Sequence, residues 1–205
     1  MNPPWLHWAT QVEAISRTGL HYAKDPFDIE RYETLHHIAA EMMAAYSDRD
    51  PKYIDGLFQV DKGHATPKID VRGIVFHNNR LLLIRERSTG KWTVPGGFAD
   101  IGESASEAVA REVYEESGFQ VRTSRLLAIY DRAKHDHPPI WFACYKLIFE
   151  CQIIGGEAQE SIESSGIAFF ERNALPELDL GRITQDQIER LWNLHDHPDW
   201  AAEFD

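Results

Sequence analysis

The sequence is poor in cysteine, in long apolar runs and in positive charge. Its two cysteines, Cys144 and Cys151, stand seven positions apart in one predicted strand, so they face opposite sides and no disulfide is expected. The first residues lack the basic start and the apolar run of a signal peptide, and no apolar stretch is long enough for a transmembrane helix. We therefore expect a cytoplasmic protein without a membrane partner.

Negative charge dominates the composition. The 33 Asp and Glu residues outnumber the 21 Lys and Arg residues, which gives a formal net charge of −12. Nucleic acid backbones are bound by basic surfaces, and no basic stripe is present in the sequence. The composition argues against nucleic acid as the main partner, although an acidic site can still bind an anionic substrate through metal ions.

Residues 1–65 have the periodicity of amphipathic helices. The first predicted helix carries an apolar stripe at three- and four-residue spacing, formed by Trp5, Trp8, Val12 and Ile15. Gly19 is expected to weaken or end this helix. Asp25-Pro26 and Asp50-Pro51 each place a capping residue before a proline suited to the first helical position, which predicts two further helices. The sequence thus predicts a small helical module over residues 1–65.

From residue 66 onward the pattern changes to short apolar runs separated by turns. His77-Asn78-Asn79 separates two such runs and predicts a β-hairpin. Ser104-Ala105-Ser106-Glu107 has the form of a capping box, and the helix it begins is expected to end at Gly118. Further strands are predicted at 121–130, 141–151 and 167–170, with a last helix at about 184–195. This alternation is typical of an α/β domain.

Three glutamates lie close together in the predicted helix after the capping box. Glu112, Glu115 and Glu116 are spaced i, i+3 and i+4, so a helix places their carboxylates on one side. Oxygen ligands of this kind suit Mg²⁺ or Mn²⁺, which also bind the oxygens of a diphosphate. Arg111 is spaced to reach Glu107 and Glu115 and to orient the carboxylates. The alternative interpretation is a solvated acidic helix face.

The wider spacing favours the metal site. Five residues lead from Gly97 to Glu103, seven more lead to Arg111-Glu112, and Val113 to Phe119 completes a run of 23 residues. This run resembles the Nudix box at every fixed position, and the chain is identified as a member of the Nudix hydrolase family. The resemblance implies an α/β/α sandwich with a mixed sheet over residues 66–205. It also implies metal-dependent hydrolysis of a diphosphate that links a nucleoside to another group.

The resemblance assigns roles to residues of the box. The implied ligands of Mg²⁺ or Mn²⁺ are Glu112, Glu115, Glu116 and the backbone carbonyl of Gly97. Arg111 would orient these glutamates, Glu103 would brace the loop, and Gly118 would end the helix. The general base stays open between Glu115 and Glu163, because Glu163 lies with Glu160 in a segment similar to the family's late acidic loop.

Segments outside the box resemble CDP-choline pyrophosphatase-like Nudix proteins. These segments are residues 5–9, 19–25, 65–70, 92–100 and 134–139. The resemblance implies hydrolysis of CDP-choline to CMP and phosphocholine by a homodimer assembled partly through the N-terminal helices. Trp5 and Trp8 have aromatic faces suited to choline, but their helical spacing favours core packing or dimer contact.

Residues outside the box are also candidates for substrate binding. Arg85, Lys91 and Asp131 are expected to meet the substrate, although the two cations also fit exposed positions on an edge strand. His135 and His137 are not assigned to the metal, because a site for a hard cation does not require imidazole.

Other functions stay open at this point. ADP-ribose or a nucleoside diphosphate sugar is an alternative substrate, since the box specifies the chemistry and not the base. A noncatalytic nucleotide-sensing module is an alternative from another class, against which the intact box argues. Trimming of RNA ends needs the same chemistry, and the acidic charge argues against it as a main role.

Overall fold

The protein is described by a computed structural model that covers residues 3–47, 49–59 and 62–205. The chain divides into two compact units, the first made of residues 1–67 and 139–143 and the second of residues 68–138 and 144–205. Within the described ranges, none of the helices has both the length and the apolar character needed to cross a bilayer.

The described part of the first unit contains three helices, as predicted. They are α1 (Pro4–Tyr22), α2 (Pro26–Ala45) and α3 (Pro51–Phe58). The side chain of Asp25 accepts hydrogen bonds from the backbone at the start of α2, and that of Asp50 does the same for α3. Each cap precedes a proline in the first turn, so both predicted helix starts are confirmed.

Helix α1 continues through Gly19 to Tyr22, so the expectation that this glycine ends the helix is wrong. A Cβ atom built on Gly19 would lie only 2.5 Å from Cζ of Tyr32 in α2. The missing side chain is therefore what allows the Tyr32 ring to pack against the α1 backbone. The close approach of the two helices outweighs the weak helix propensity of glycine.

Only part of the predicted apolar stripe of α1 is covered, since Trp5 and Val12 pack against the core of this unit. Leu6, Ala9, Glu13 and Ser16 are buried, whereas Trp8 and Ile15 are each 58% exposed. Trp5 is partly buried and stacks on Tyr46, with ring centroids 4.7 Å apart. Core packing within the chain thus explains Trp5 but not Trp8, whose role in a dimer contact stays a prediction.

Residues 139–143 belong to the helical unit and not to a strand, so the predicted strand start at 141 is wrong. The ring of Trp141 lies 5.5 Å from that of Phe58, and its backbone carbonyl accepts a hydrogen bond from Thr10 at 3.3 Å. The strand that follows begins at Cys144 and extends to Gly156.

The second unit is a mixed sheet with a helix on each face. Its strands are β1 (Lys68–His77), β2 (Arg80–Glu86), β3 (Trp92–Thr93), β4 (Phe119–Asp131), β5 (Cys144–Gly156), β6 (Ser164–Phe170) and β7 (Glu203–Phe204). Its helices are α4 (Ala105–Ser117) and α5 (Gln185–Asp196), with a 3₁₀ turn at Arg132–Lys134. The strand order is β3-β2-β1-β5-β4-β7, and β6 pairs with β2. The pairs β1–β5 and β4–β7 are parallel, whereas the other strand pairs are antiparallel.

Two apolar layers hold the helices to the sheet. Val109 and Val113 of α4 pack against one face, and Ile188 and Trp192 of α5 pack against the other. This arrangement confirms the predicted α/β/α sandwich of the Nudix fold. Asn78 and Asn79, with φ of 50° and 55°, form the predicted hairpin turn between β1 and β2. Both cysteines are free, as expected.

Candidate active site

The glycine-rich loop before α4 lies along β1. The backbone N–H of Gly73 donates to the carbonyl of Pro95 at 2.9 Å, and that of Val71 donates to the carbonyl of Gly97 at 2.8 Å. Gly73 also lets α4 approach β1 closely, because a Cβ there would meet the side chains of Val113 and Val109. The loop and the helix are thus both fixed to the same strand.

The ends of α4 are set by the residues that the sequence indicated. Ser104 and Glu107 form a reciprocal capping box, and Gly118 ends the helix in the left-handed conformation with a φ of 78°. The Glu107 carboxylate accepts hydrogen bonds from the hydroxyl and the backbone N–H of Ser104, at 2.7 and 2.8 Å. The predicted contact between Arg111 and Glu107 is therefore wrong, since Glu107 serves the cap.

Arg111 instead donates hydrogen bonds to three other carboxylates. Its Nε and Nη2 donate to the two oxygens of Glu103 at 3.0 and 2.7 Å, and its Nη1 donates to Glu112 at 2.9 Å and Glu115 at 3.0 Å. The paired guanidinium lowers the pKa of Glu103 to about 2. Glu103 also accepts a hydrogen bond from the backbone of Asp100 at 2.7 Å, so it ties the loop to the helix.

Glu116 lies deeper than its neighbours. It is only 5% exposed, and its Oε2 accepts a hydrogen bond from the backbone N–H of Gly96 at 2.8 Å. Burial raises the pKa of Glu116 to about 7, against the lowering effects of the Gly96 hydrogen bond and of Arg72. Burial also raises the pKa of Glu112, even though Arg111 opposes it. Both carboxyl groups are held where a cation would stabilise their charged form.

The donor set fits a hard divalent cation in its chemistry. A Cβ on Gly97 would lie 2.7 and 2.9 Å from the two carboxylate oxygens of Glu112, so only glycine leaves room for this carboxylate beside the loop. Among the described residues, however, no group of three His, Cys, Asp or Glu side chains has an arrangement ready to hold a metal. Nη1 of Arg111 bridges Glu112 and Glu115, and a cation between them requires this side chain to move.

The glutamates line a cleft with a volume of about 800 Å³. Its walls include Phe98, Glu112, Glu115, Glu116, Glu163 and Arg182. Glu163 therefore shares the cleft with the box, although it follows Glu116 by 47 positions. Both candidate general bases, Glu115 and Glu163, face the same space.

The loop that carries Glu163 is anchored on two sides. The backbone N–H of Arg87 donates to the carbonyl of Glu163 at 2.8 Å, and its Nε donates to that of Ser161 at 2.9 Å. The hydroxyl of Ser164 donates to the carbonyl of Glu116 at 2.6 Å. A hydrogen-bonded chain thus links the loop to the end of the glutamate helix. Glu160 forms an ion pair with Arg87 at 3.1 Å.

The structure does not bring the predicted substrate residues to this cleft. Nε of Arg85 donates to the carbonyl of Gly90 at 2.8 Å, and Nζ of Lys91 pairs with Glu177 at 2.9 Å. Asp131 lines a different pocket, of about 460 Å³, near Phe204. These contacts are local to other loops and strand ends, and the substrate-binding role of the three residues stays a prediction.

The two histidines of the 134–139 segment have protein partners. Nδ1 of the buried His137 lies 2.7 Å from the carbonyl of Leu180, and Nε2 of His135 lies 3.2 Å from Asp205. Burial lowers the pKa of His137 to about 4, so the ring is neutral at pH 7.

Sequence reasoning missed a buried ionic cluster behind the loop. Asp70, Arg72 and Lys146 are 4%, 1% and 1% exposed, yet all three carry ionisable groups. Asp70 and Arg72 interrupt an otherwise apolar strand, which was the available signal. Near the cleft, Arg182 also lies 3.5 Å from the buried Glu86.

Comparison with known proteins identifies relatives of both parts of the chain. Residues 66–191 match the family described as "NUDIX domain", and residues 3–58 match "UDP-X-like, N-terminal oligomerisation domain". A putative ADP-ribose pyrophosphatase, YjhB of Bacillus subtilis, is 44% identical over 201 residues, which cover 98% of this chain and 97% of that protein.

Two solved structures are also similar, one over nearly the whole chain and one over about two thirds of it. A crystal structure of a UDP-X diphosphatase is 33% identical, with a TM-score of 0.66, and the match covers 98% of both chains. An ADP-ribose pyrophosphatase from Streptococcus suis 89-1591 is 34% identical, with a TM-score of 0.63, over 68% of this chain and 100% of that one. With its α/β/α sandwich, its intact box and these relatives, the chain belongs to the Nudix hydrolase family, as a pyrophosphohydrolase of nucleoside diphosphates linked to another moiety.

Proposed function

We propose that the enzyme cleaves a pyrimidine nucleoside diphosphate linked to another group, with CDP-choline and UDP-linked compounds as the first candidates. The match to the UDP-X diphosphatase carries this proposal, because it extends over both units and over 98% of each chain. The N-terminal helices also match a module described as UDP-X-like. The CDP-choline-like segments of the sequence lie in both units and favour the same class of substrate.

A divalent metal is part of this proposal, since Nudix hydrolases generally use one. Glu112, Glu115, Glu116 and the Gly97 carbonyl would hold Mg²⁺ or Mn²⁺. When bound, such an ion supplies a water of lowered pKa and positive charge for the phosphate oxygens. The Gly97 carbonyl already accepts one hydrogen bond, from Val71, and its second lone pair stays available.

Residues of the chain itself accept the proton of the attacking water and orient the glutamates. Glu163, or alternatively Glu115, accepts a proton from the water that attacks one phosphorus atom. The bond from that phosphorus to the bridging oxygen breaks, which yields a nucleoside monophosphate and the phosphorylated second group. Arg111 keeps the glutamates oriented through its contacts with Glu103, and Arg182 brings positive charge to the cleft wall.

ADP-ribose is the second candidate substrate. The observation in its favour is the 44% identity to the putative ADP-ribose pyrophosphatase of Bacillus subtilis over nearly the whole chain. Both candidates require the same reaction at phosphorus, so they differ only in which base and second group are recognised.

A substrate panel tests the proposal. The purified chain is incubated with CDP-choline, UDP-glucose and ADP-ribose in Mg²⁺ or Mn²⁺, and kcat/KM is measured from chromatographic separation of the products. We expect the highest kcat/KM for a pyrimidine substrate, with CMP and phosphocholine as the products from CDP-choline. A higher kcat/KM for ADP-ribose would reject the pyrimidine assignment and favour the second candidate.

We also propose that residues 1–65 form a homodimer contact. Trp8, Ile15, Tyr22 and Phe27 are between 58% and 67% exposed, although they are large and apolar. The module matches a family described as an oligomerisation domain. Light scattering after size exclusion should give twice the monomer mass of 23.6 kDa for the wild type and a monomer for Trp8→Glu. A monomeric wild type would contradict the assignment.

A further inference from the structure

The buried ionic cluster of Asp70, Arg72 and Lys146 lies directly beneath the glycine-rich loop. Arg72 Nε and Nη2 donate to the two oxygens of Asp70 at 3.1 and 2.8 Å, and Lys146 Nζ bonds to Asp70 as well. Asp70 and Lys146 are direct neighbours in the parallel pairing of β1 and β5. Buried charges carry a desolvation cost, so a cluster of three calls for an explanation beyond stability.

The cluster contacts the loop through Arg72. Nη1 of Arg72 lies 3.4 Å from the carbonyl of Val94, to which it donates a hydrogen bond. A Cβ on Gly96 would meet the carbonyl oxygen of Val71 first and would lie 2.9 Å from Cα and 3.0 Å from Cδ of Arg72, so Gly96 packs against both the β1 backbone and the arginine side chain. Backbone hydrogen bonds to β1 hold the loop on either side of Gly96, and the Arg72 side chain adds its contacts with Gly96 and with the Val94 carbonyl.

The Gly96 peptide in turn holds Glu116. Its N–H donates to Glu116 Oε2 at 2.8 Å, and within residues 3–47, 49–59 and 62–205 Glu116 forms no ion pair. Arg111 binds Glu103, Glu112 and Glu115 but not Glu116. The glutamates of the box thus have two separate supports, one at the surface and one in the interior.

We infer that Arg72, fixed by Asp70 and Lys146, is a positioning residue that sets the Glu116 carboxylate through the Gly96 peptide. Arg72 is too deeply buried to touch substrate, so it acts on the site through the loop and through the charge that it places near Glu116. The two parallel hydrogen bonds to Asp70 fix the plane of the Arg72 guanidinium. A lysine ammonium cannot form this paired arrangement. The inference rests on the proposed role of Glu116 as a metal ligand.

Arg72→Met tests the inference, because methionine keeps an unbranched side chain but removes the positive charge and the paired hydrogen bonds to Asp70. Mn²⁺ binding to the full chain is measured by the loss of the free-ion signal in electron paramagnetic resonance, together with kcat and KM. We expect Mn²⁺ affinity and kcat to fall by about 10–100-fold, as for other groups that orient metal ligands, and KM to change much less. Arg72→Lys should recover only part of the affinity.

Two further variants keep the test decisive. Ile188→Ala removes buried side-chain volume in α5 and destabilises the same unit without touching the loop, so it should keep the Mn²⁺ affinity of the wild type. Asp70→Asn keeps the shape of the side chain but removes the paired hydrogen bonds between Arg72 and the Asp70 carboxylate. It should therefore lose Mn²⁺ affinity as Arg72→Met does. This variant replaces Arg72→Met if the latter does not fold. Wild-type Mn²⁺ affinity in a folded Arg72→Met or Asp70→Asn, or an equal loss in Ile188→Ala, would overturn the inference.

Glu116→Gln in the same assay separates this inference from the proposed function. Loss of Mn²⁺ affinity in Glu116→Gln with full affinity in Arg72→Met would reject the positioning role alone. Full affinity in Glu116→Gln would reject both the metal role of Glu116 and the inference built on it.

Discussion

Gly97→Ala is a sharp test of the site geometry, because the added atom meets one functional group. The new Cβ would lie 2.7 Å from Oε1 and 2.9 Å from Oε2 of Glu112. Ordinary contacts between such atoms begin near 3.4 Å, so the carboxylate must move by about 0.5–1 Å. Gly97 does not have a positive φ, so alanine adds no backbone strain and the effect comes from the side chain alone.

A displacement of this size has a large expected effect on turnover. Misplacing a catalytic group by about 1 Å can lower the rate on the order of 100-fold, and we expect kcat of Gly97→Ala to fall by about that factor. The assay is steady-state hydrolysis in Mg²⁺, with thermal unfolding measured on the same samples. Gly56→Ala is the matched control, because a Cβ there meets nothing within 4 Å. It should keep wild-type kcat and gain about 0.5–1 kcal/mol in the free energy of unfolding. Wild-type kcat in Gly97→Ala would refute the assigned approach between the loop and Glu112.

Three other predictions follow from the described contacts. Gly19→Ala should lower the free energy of unfolding by about 1–3 kcal/mol, because its Cβ would clash with the Tyr32 ring, and wild-type stability in denaturant unfolding would contradict this packing. Arg111→Ala should lower kcat by about 10–100-fold in the hydrolysis assay, because Glu112 and Glu115 lose their shared guanidinium; unchanged kcat would remove its orienting role. Burial lowers the pKa of His137 from 6.5 to about 4, so the free energy of unfolding should fall as the pH falls from 6.5 to about 4, by up to about 3 kcal/mol. Urea unfolding of His137→Gln should lack this part of the pH dependence, and an identical pH profile would contradict it.

The sequence predicted best where local chemistry determines the structure. The capping box at Ser104 and Glu107, the helix end at Gly118 and the turn at Asn78-Asn79 depend on side chains next to the backbone they fix. The spacing of the box glutamates fixes their shared helix face in the same way. The fold class and the glutamate cluster could therefore be predicted from the sequence.

Features that depend on distant parts of the chain were not predictable. The contact of Gly19 with Tyr32 and the position of Trp141 beside Phe58 require knowledge of which segments meet. The pairing of Asp70 with Lys146 joins residues 76 positions apart through parallel strands. Periodicity shows that a residue lies on an apolar face but not what covers that face, as Trp8 shows by its exposure.

The central claim is that the box glutamates form a metal-dependent site for diphosphate hydrolysis. Turnover of CDP-choline, UDP-glucose and ADP-ribose by the wild type and by Glu116→Gln, each with and without Mg²⁺ or Mn²⁺, tests it most directly. The account predicts cleavage to monophosphates only with metal, and a loss of at least about 100-fold in kcat for a Glu116→Gln protein that keeps its fold. Equal turnover by Glu116→Gln, or wild-type turnover that persists after chelation of all divalent metal, would contradict it.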